Sequence, residues 1–248
     1  MSHLLEQLAT FDRQHPLERK LLLCPDLNYG RELLLALARH TGGWTGWEAG
    51  TLKSLADELA FVSLSDAGVR PATDIEIGAL IGSALDQSVS DRAVAGNWND
   101  LASHAGFRRA ILDAVLELRA AGVGPDQIRQ LEAAGPVHHL AAVMERFAAL
   151  LHSTKLLDPA GVFTAALANF ETEAPFVLAP HIFLAPGLGT RGLPGRLLQR
   201  LLDHGAQVLD WATLNSRSLK PELWDVASTG LVFTADPANH IVFRCNWW

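Results

Sequence analysis

The sequence has little of what disulfide-stabilised proteins and dedicated nucleic-acid binders depend on. Of its 248 residues only two are cysteines, Cys24 and Cys245, and the net charge is −7 without any run of Lys or Arg. So few cysteines argue against a disulfide framework or a cysteine-ligated metal site and favour a reducing compartment. The acidic balance argues against a free-standing DNA-binding protein, because such affinity comes mainly from Lys and Arg that neutralise phosphates.

The sequence also lacks a recognisable targeting or membrane segment. Its first residues, MSHLLEQLATFDRQ, have neither the basic start nor the unbroken apolar run of a signal peptide. No stretch approaches the roughly 18 uncharged apolar residues of a membrane span. With 49% hydrophobic and 19% charged residues, the composition is that of a globular protein. We therefore expect a soluble, cytoplasmic protein with no membrane association.

The most informative stretch is residues 20–60. An apolar run at residues 21–24, stopped by proline, predicts a short buried strand. Asn28 is the predicted N-cap of the helix that follows, and Gly42 is expected to end that helix. A second short strand-like segment leads into Thr51, which is the predicted N-cap of another helix. Strand, polar loop, helix, strand and capped helix together predict a parallel α/β arrangement.

Most of the middle of the chain is predicted to be helical, over residues 73–170. Thr73 is the predicted N-cap of a helix that continues to about Gln87, and Asp158 is the predicted N-cap of a helix that begins with Pro159. The other expectations are loops at 61–73 and 88–100, helices at 101–121, 125–134, 138–151 and 193–202, strands at 176–178, 182–184 and 207–211, and a β-hairpin of 231–234 with 240–244.

Several of these segments together resemble a known enzyme family. LLLCPDLNYGRELLLAL and TLKSLADEL are similar to the second quarter of a superfamily 1, UvrD-like helicase core, where one strand ends in a DNA-contacting loop and the next in a T-x-x-S-L-A segment. RRAILDAVLELRAAGVGPDQI and AALLHSTKLLDPAGVFTAAL resemble the helical insertion of AddB-type proteins, the nuclease subunits of bacterial helicase–nuclease repair complexes. APHIFLAPGLGTRGLPGRLLQRLLDHGAQVLDW occupies the place of the strand that carries the ATPase acid. The likeness covers roughly residues 15–212.

The resemblance implies a fold and a division into parts. It implies an α/β fold with a degenerate, parallel-sheet, P-loop-NTPase-like core of the helicase 1A type and an all-helical insertion. The core would comprise residues 1–65 and 175–215, and the insertion residues 66–174. Residues 216–248 would form a β-like tail, expected to be truncated relative to a longer ancestor.

The chemistry of ATP hydrolysis is missing from the positions that the resemblance assigns to it. A phosphate-binding loop needs glycines, yet no glycine precedes Lys20. The Mg²⁺-holding acid should follow residues 182–184, where the sequence is Ala185-Pro186-Gly187-Leu188. Lys53 is the one lysine followed by Ser or Thr, and Leu52 stands before it where the motif needs glycine. We therefore expect no ATPase activity, no catalytic residue and no cofactor, the nuclease domain of the relatives lying outside this region.

Two groups of residues are candidate binding sites. By resemblance to the helicase loops that touch single-stranded DNA, the nucleic-acid candidates are Asn28, Tyr29, Arg31 and Thr51, with helix capping as the alternative interpretation. A glycine-rich turn before a helix suggests an anion site formed by Gly187, Gly189 and Arg191, with a plain strand-to-helix connection as the alternative. No metal site is predicted, since adjacent residues on a helix such as His138 and His139 point about 100° apart.

Three hypotheses for function follow. The first is a non-catalytic, helicase-like scaffold that holds or guides single-stranded or duplex DNA beside a helicase or nuclease partner subunit. The second is a small-molecule enzyme that uses the crevice at the carboxyl ends of the strands, near Asp26, Thr51 and Arg191. The third is a protein–protein interaction module whose helical insertion is the docking surface.

Overall fold

The structure, a computed structural model, describes residues 2–94, 96–130, 136–189, 191–209, 231–235 and 241–245. Over these residues the protein is mixed α/β and mostly helical, with a small parallel sheet. It divides into two compact units, Met1–Ala212 and Thr213–Trp248. No helix among the described residues is both long and apolar enough to cross a membrane.

The helices of the first unit are α1 (Ser2–Gln14), α2 (Leu27–Thr41), α3 (Leu52–Asp66), α4 (Asp74–Ser90), α5 (Asn97–Leu101), α6 (Ala105–Ala120), α7 (Pro125–Arg129), α8 (Pro136–Thr154), α9 (Pro159–Val177) and α10 (Gly192–Asp203). Its strands are β1 (Lys20–Leu23), β2 (Trp47–Gly50), β3 (Arg70–Pro71), β4 (Leu156–Leu157), β5 (His181–Leu184) and β6 (Gln207–Val208). The second unit contains β7 (Leu231–Ala235) and β8 (Ile241–Cys245), which pair in antiparallel fashion, so the predicted hairpin is confirmed.

The main sheet is parallel and has the strand order β2-β1-β5-β6. Every residue of β1 is buried, and Lys20 at its start lies opposite Trp47 of β2 and His181 of β5. A strand that is buried on both faces has a continuous run of apolar residues. This is why the apolar run at residues 21–24 predicts the strand correctly.

Alternation along the strands divides the core into two layers. Leu21, Leu23 and Leu184 point to the face covered by α3, α9 and α10, hereafter the α3 face. Leu22 and Phe183 point to the opposite face, which α1 and α2 cover, hereafter the α2 face. Each face carries its own apolar cluster, so the sheet lies between two hydrophobic cores.

A third apolar cluster belongs to the helical segment, defined here as α4 to α8. This segment begins after β3 and ends before β4, and those two short strands pair in parallel. The pairing was not predicted, because two-residue strands carry no periodic signal.

A buried ion pair connects the helical segment to α9. Asp158, which is fully buried, accepts hydrogen bonds from Nε and Nη2 of Arg119 at 2.6 and 2.8 Å. The same carboxylate caps α9 by accepting from the Gly161 backbone N–H, with Pro159 in the first turn, so the predicted N-cap is confirmed. The Arg119 guanidinium also lies over the ring of Phe147 in α8. One carboxylate therefore joins α6 to the start of α9.

Three of the four predicted N-caps are confirmed, but several helix bounds differ from the prediction, and the helix predicted at 101–121 begins only at Ala105. Thr51 and Thr73 are N-caps with complete capping boxes, and Gly42 ends α2 in the left-handed conformation with φ 84°. The predicted loop at 61–73 is wrong over its first half, because α3 continues to Asp66. There the side-chain amide of Asn169 in α9 donates a hydrogen bond to the Ser63 hydroxyl. Such a contact between distant residues cannot be predicted from the local sequence.

Three further expectations are corrected. The predicted strand at 176–178 falls largely in the last turn of α9, which ends at Val177. The predicted loop at 88–100 contains the end of α4 and the short helix α5. Asn28 is not the N-cap of α2: the side chain of Asp26 accepts from the Tyr29 backbone N–H at 2.8 Å, so the helix begins earlier. Residues 131–134, 210–211 and 240, parts of predicted elements, lie outside the described residues.

The Asp158–Arg119 pair yields a stability prediction. Asp158→Ala should lower the free energy of unfolding by about 3 kcal/mol, because it leaves a mostly buried guanidinium unpaired and removes a helix cap. Thr73→Ala, which removes a comparable but exposed cap, is the matched control and should cost about 1 kcal/mol. Urea unfolding of both variants measures the difference; equal losses would show that the ion pair contributes nothing beyond capping.

Candidate nucleic-acid interface

The carboxyl ends of the four main strands lie along one edge of the sheet. Backbone hydrogen bonds continue the ladder past the strands: Cys24 N–H donates to Gly50 at 2.8 Å, and Ala185 N–H donates to Leu23 at 2.8 Å. Leu209 N–H donates to the carbonyl of Leu184 at 2.9 Å. The loops that leave β2, β1 and β5 therefore start side by side.

The helices that follow these strands leave toward different faces. After β1 the chain turns to the α2 face, whereas after β2 and β5 it turns to the α3 face. The loop after β1 thus diverges from both of its neighbours. In open α/β sheets, ligands usually bind outside the carboxyl ends of the strands at a point where the connections diverge in this way.

Three of the four nucleic-acid candidates lie in the first turns of α2, directly after the loop that leaves β1. Asn28 and Arg31 are exposed in the first turns of α2, and within the described residues Arg31 forms no salt bridge. Tyr29 is half-buried, and its ring packs against the apolar cluster of the α2 face. Burial, and after it the neighbouring Cys24 thiol, raises the pKa of Tyr29. Asn28 and Arg31 are therefore the accessible members of the group.

Thr51, the fourth candidate, lies at the end of β2 and serves as a helix cap. Its hydroxyl accepts from the Ser54 backbone N–H at 3.0 Å, and the Ser54 hydroxyl accepts from the Thr51 N–H at 2.8 Å. The capping interpretation is confirmed for this residue. Contact with DNA stays a prediction, and it would have to coexist with these bonds.

Close packing holds the start of α2 against the sheet. A side chain at Gly30 would put its Cβ 2.9 Å from the Cβ of Ala49 in β2 and 3.2 Å from the sulfur of Cys24. Real Cβ atoms essentially never show a contact under 3.0 Å, so only glycine allows α2 to approach β2 this closely without a shift. The position of Asn28 and Arg31 relative to Thr51 depends on this approach.

The predicted anion site occupies the loop between β5 and α10. Gly187, with φ 88°, lies against Pro25, so this loop touches the loop after β1. Gly189 and Arg191 are exposed, and Arg191 is the N-cap of α10 without a side-chain cap bond. The next residue, Gly192, packs against the end of α6, where a Cβ would come within 2.3 Å of the Ala120 carbonyl oxygen. The α10 N-terminus is thus partly covered by a neighbouring helix.

The chemistry available at this edge is hydrogen bonding and limited charge pairing. Burial, and after it the charge of Asp26, raises the pKa of Cys24 to about 12, so its thiol is not an activated nucleophile. At this edge the described residues bring no three potential metal ligands together. The Asp26 carboxylate at the α2 N-terminus opposes an approaching phosphate, while Arg31 favours one.

The sequence did not predict one cluster of potential metal ligands, which lies at the opposite, amino-terminal edge of the sheet. There His15, Glu18 and His181 lie close together. The pairing of β1 with β5 brings Glu18, just before β1, next to His181, the first residue of β5. The sequence patterns predict the strands but not which strands pair with each other.

Comparison with known proteins assigns no family. No protein-family model matches the chain, and no curated protein matches it. The resemblance to AddB-type proteins therefore stays a prediction.

The tight approach at Gly30 generates a matched pair of variants. Gly30→Ala should destabilise the protein by about 1 to 2 kcal/mol, because the new methyl group forces α2 away from β2 despite the higher helix propensity of alanine. Gly78→Ala, within α4 with open space around its Cβ position, should stabilise by about 0.5 to 1 kcal/mol. Urea denaturation measures both; stabilisation by Gly30→Ala would contradict the packing described.

Proposed function

We propose that the chain is a non-catalytic, helicase-like scaffold that holds or guides DNA beside an active motor or nuclease. One observation carries the proposal. The two segments with the clearest resemblance to helicase cores, β1–α2 and β2–α3, are neighbours in one parallel sheet and direct their loops to the same edge. That neighbourhood is what a DNA-contacting edge built from these loops requires.

The finer architecture of the proposal is a degenerate P-loop-NTPase-like core of the helicase 1A type. The parallel order β2-β1-β5-β6 supports it, as does the position of the helical segment between α3 and α9. An all-helical segment enclosed by α/β elements is the arrangement that the resemblance to AddB-type proteins implies.

The proposed scaffold has no motor of its own. Beside β1, at the end of β5, stands Ala185 where the resemblance assigns the acid that holds Mg²⁺. No glycine precedes Lys20, so there is no phosphate-binding loop at the position where the resemblance places it. In this proposal the ATPase and the nuclease belong to a partner subunit or to another part of a larger assembly.

The charges at the edge make the proposed DNA contact weak and local. Arg31 supplies one cation, Asn28 supplies an amide, and the starts of α2 and α3 supply backbone N–H donors. A net charge of −7 repels the rest of the DNA backbone. Such a surface guides a strand that a partner already holds, and it contributes orientation more than affinity.

A small-molecule enzyme is the second candidate, and the divergence of α2 from α3 and α10 favours it. The carboxyl ends of the strands beside Asp26 are where open α/β sheets usually bind ligands. A thermal shift of several degrees with one metabolite, together with no response to DNA, would favour this candidate over the scaffold.

The DNA contact is tested by a double variant with a control on the same helix. Asn28→Ala with Arg31→Ala should weaken binding of labelled single-stranded DNA about tenfold, since a hydrogen bond to a charged group contributes about 1.5 kcal/mol. The slope of log affinity against log salt should fall by about 0.7. Arg39→Ala, exposed in the last turn of α2, should change neither quantity. Fluorescence anisotropy at two salt concentrations measures both, and equal effects of the two variants would refute the assignment.

The absence of a motor is tested separately. The purified chain should release phosphate from ATP no faster than buffer, with or without single-stranded DNA. A coupled phosphate-release assay measures this, and hydrolysis stimulated by DNA would end the proposal of a non-catalytic scaffold.

A further inference from the structure

Three potential metal ligands converge at the amino-terminal edge of the sheet. Glu18 accepts through Oε1 from His15 Nδ1 at 2.8 Å and through Oε2 from His181 Nε2 at 2.6 Å. One ligand atom from each of the three residues lies within 4.8 Å of the others. His181 is 163 positions from Glu18, so the cluster exists only in the folded chain.

The fold fixes each member of the cluster. His15 follows α1, where its backbone N–H donates to the Phe11 carbonyl at 3.0 Å. His181 begins β5 opposite Lys20, and strand alternation directs it to the α2 face with Phe183. Glu18 lies in the short linker between α1 and β1.

An aromatic side chain restricts both imidazoles. The Phe11 ring stacks on His15 with centroids 4.4 Å apart and meets His181 edge-on at 4.8 Å. The two imidazoles lie 4.5 Å from each other. Rings held in this way lose little further freedom when they bind a ligand, which is the preorganisation that a metal site needs.

We propose that His15, Glu18 and His181 form a binding site for a divalent transition metal, with zinc as the best fit. Two imidazole nitrogens and a carboxylate oxygen are a ligand set that zinc accepts, with a water molecule in the fourth position. Magnesium and calcium prefer sites made of oxygen alone. The proposal is independent of the DNA-guiding function, which concerns the opposite edge of the sheet.

The dimensions of the cluster suit an ion of this size. Tetrahedral zinc with bonds of about 2.0 to 2.1 Å separates its ligand atoms by roughly 3.3 Å. To admit the ion, the hydrogen-bonded contacts of 2.8 and 2.6 Å would lengthen slightly, and ligand atoms that now lie within 4.8 Å of one another would draw together around it. Each imidazole would then direct a nitrogen lone pair to the metal in place of its hydrogen bond to Glu18.

Exposure and charge also fit an ion with one open position. The side chains of His15, Glu18 and His181 are 32%, 50% and 20% exposed, so solvent reaches the cluster from one side. The nearby cation Lys20 is fully buried and paired with Asp12 at 3.1 Å, so it does not leave an uncompensated positive charge beside the ion.

A metal at this position would act as a clamp. It would connect the segment between α1 and β1 to the first residue of β5 more firmly than the Glu18–His181 hydrogen bond and the His15–His181 ring contact do. Because the ion binds the folded chain and not the unfolded one, it should raise the melting temperature by an amount that grows with the logarithm of the free Zn²⁺ concentration above the dissociation constant.

Titration of the full chain with Zn²⁺, after removal of bound metal by a chelator, tests the proposal. Calorimetry should show one equivalent bound, and Glu18→Gln should weaken binding at least tenfold, since changes even outside the ligand shell cost this much. Loss of His15 or His181 by substitution with asparagine should do the same. His40→Asn, an exposed histidine in the last turn of α2, is the matched control and should bind like the unmodified chain.

Two further measurements keep the test independent of folding defects. Zn²⁺ should raise the melting temperature of the unmodified chain and of His40→Asn, but not that of Glu18→Gln, whose fold is checked by circular dichroism. X-ray absorption on the unmodified zinc-loaded chain should report two imidazole ligands. Failure to bind stoichiometric Zn²⁺, one-equivalent binding unchanged in all three cluster variants, or a zinc shell without two imidazoles would each overturn the proposal.

Discussion

The architecture depends on one short strand that has no exposed side. All four residues of β1 are buried, and their side chains must be satisfied alternately by two different layers. This requirement places α1 and α2 on one face and α3, α9 and α10 on the other. It also explains why the charged residue at the start of the strand, Lys20, is paired with Asp12 and the carbonyl of Thr45 rather than solvated.

The same strand separates two edges with different chemistry. Beyond its carboxyl end lie an exposed amide side chain, two exposed arginines and capped helix starts, which suit a polyanion held mainly by other contacts. Before its amino end lie imidazoles and a carboxylate in contact with each other, which suit a small cation. The proposed DNA contact and the proposed metal site therefore depend on different residues, and a substitution at one edge need not affect the other.

Local signals predicted what local interactions determine. Thr51, Thr73 and Asp158 were identified as caps because their side chains bond within the next three residues. Asn28 was misassigned because Asp26 stands two residues earlier and reaches the same helix start. The extension of α3, the burial of Lys20 and the meeting of Glu18 with His181 all depend on partners distant in sequence. At the candidate DNA edge, the choice of residues came from resemblance and its test lies in binding measurements.

The parallel pairing of β3 with β4 holds the two ends of the helical segment together. Arg70 and Leu156 are register partners, so the chain enters and leaves the segment at nearly the same point and in the same direction. With its ends held together there, lengthening or shortening the segment adds little loop-closure entropy, which grows only slowly with length. The helical segment is thus a part whose size evolution could change by insertion or deletion while the sheet stayed as it is, provided that Asp158 kept a partner.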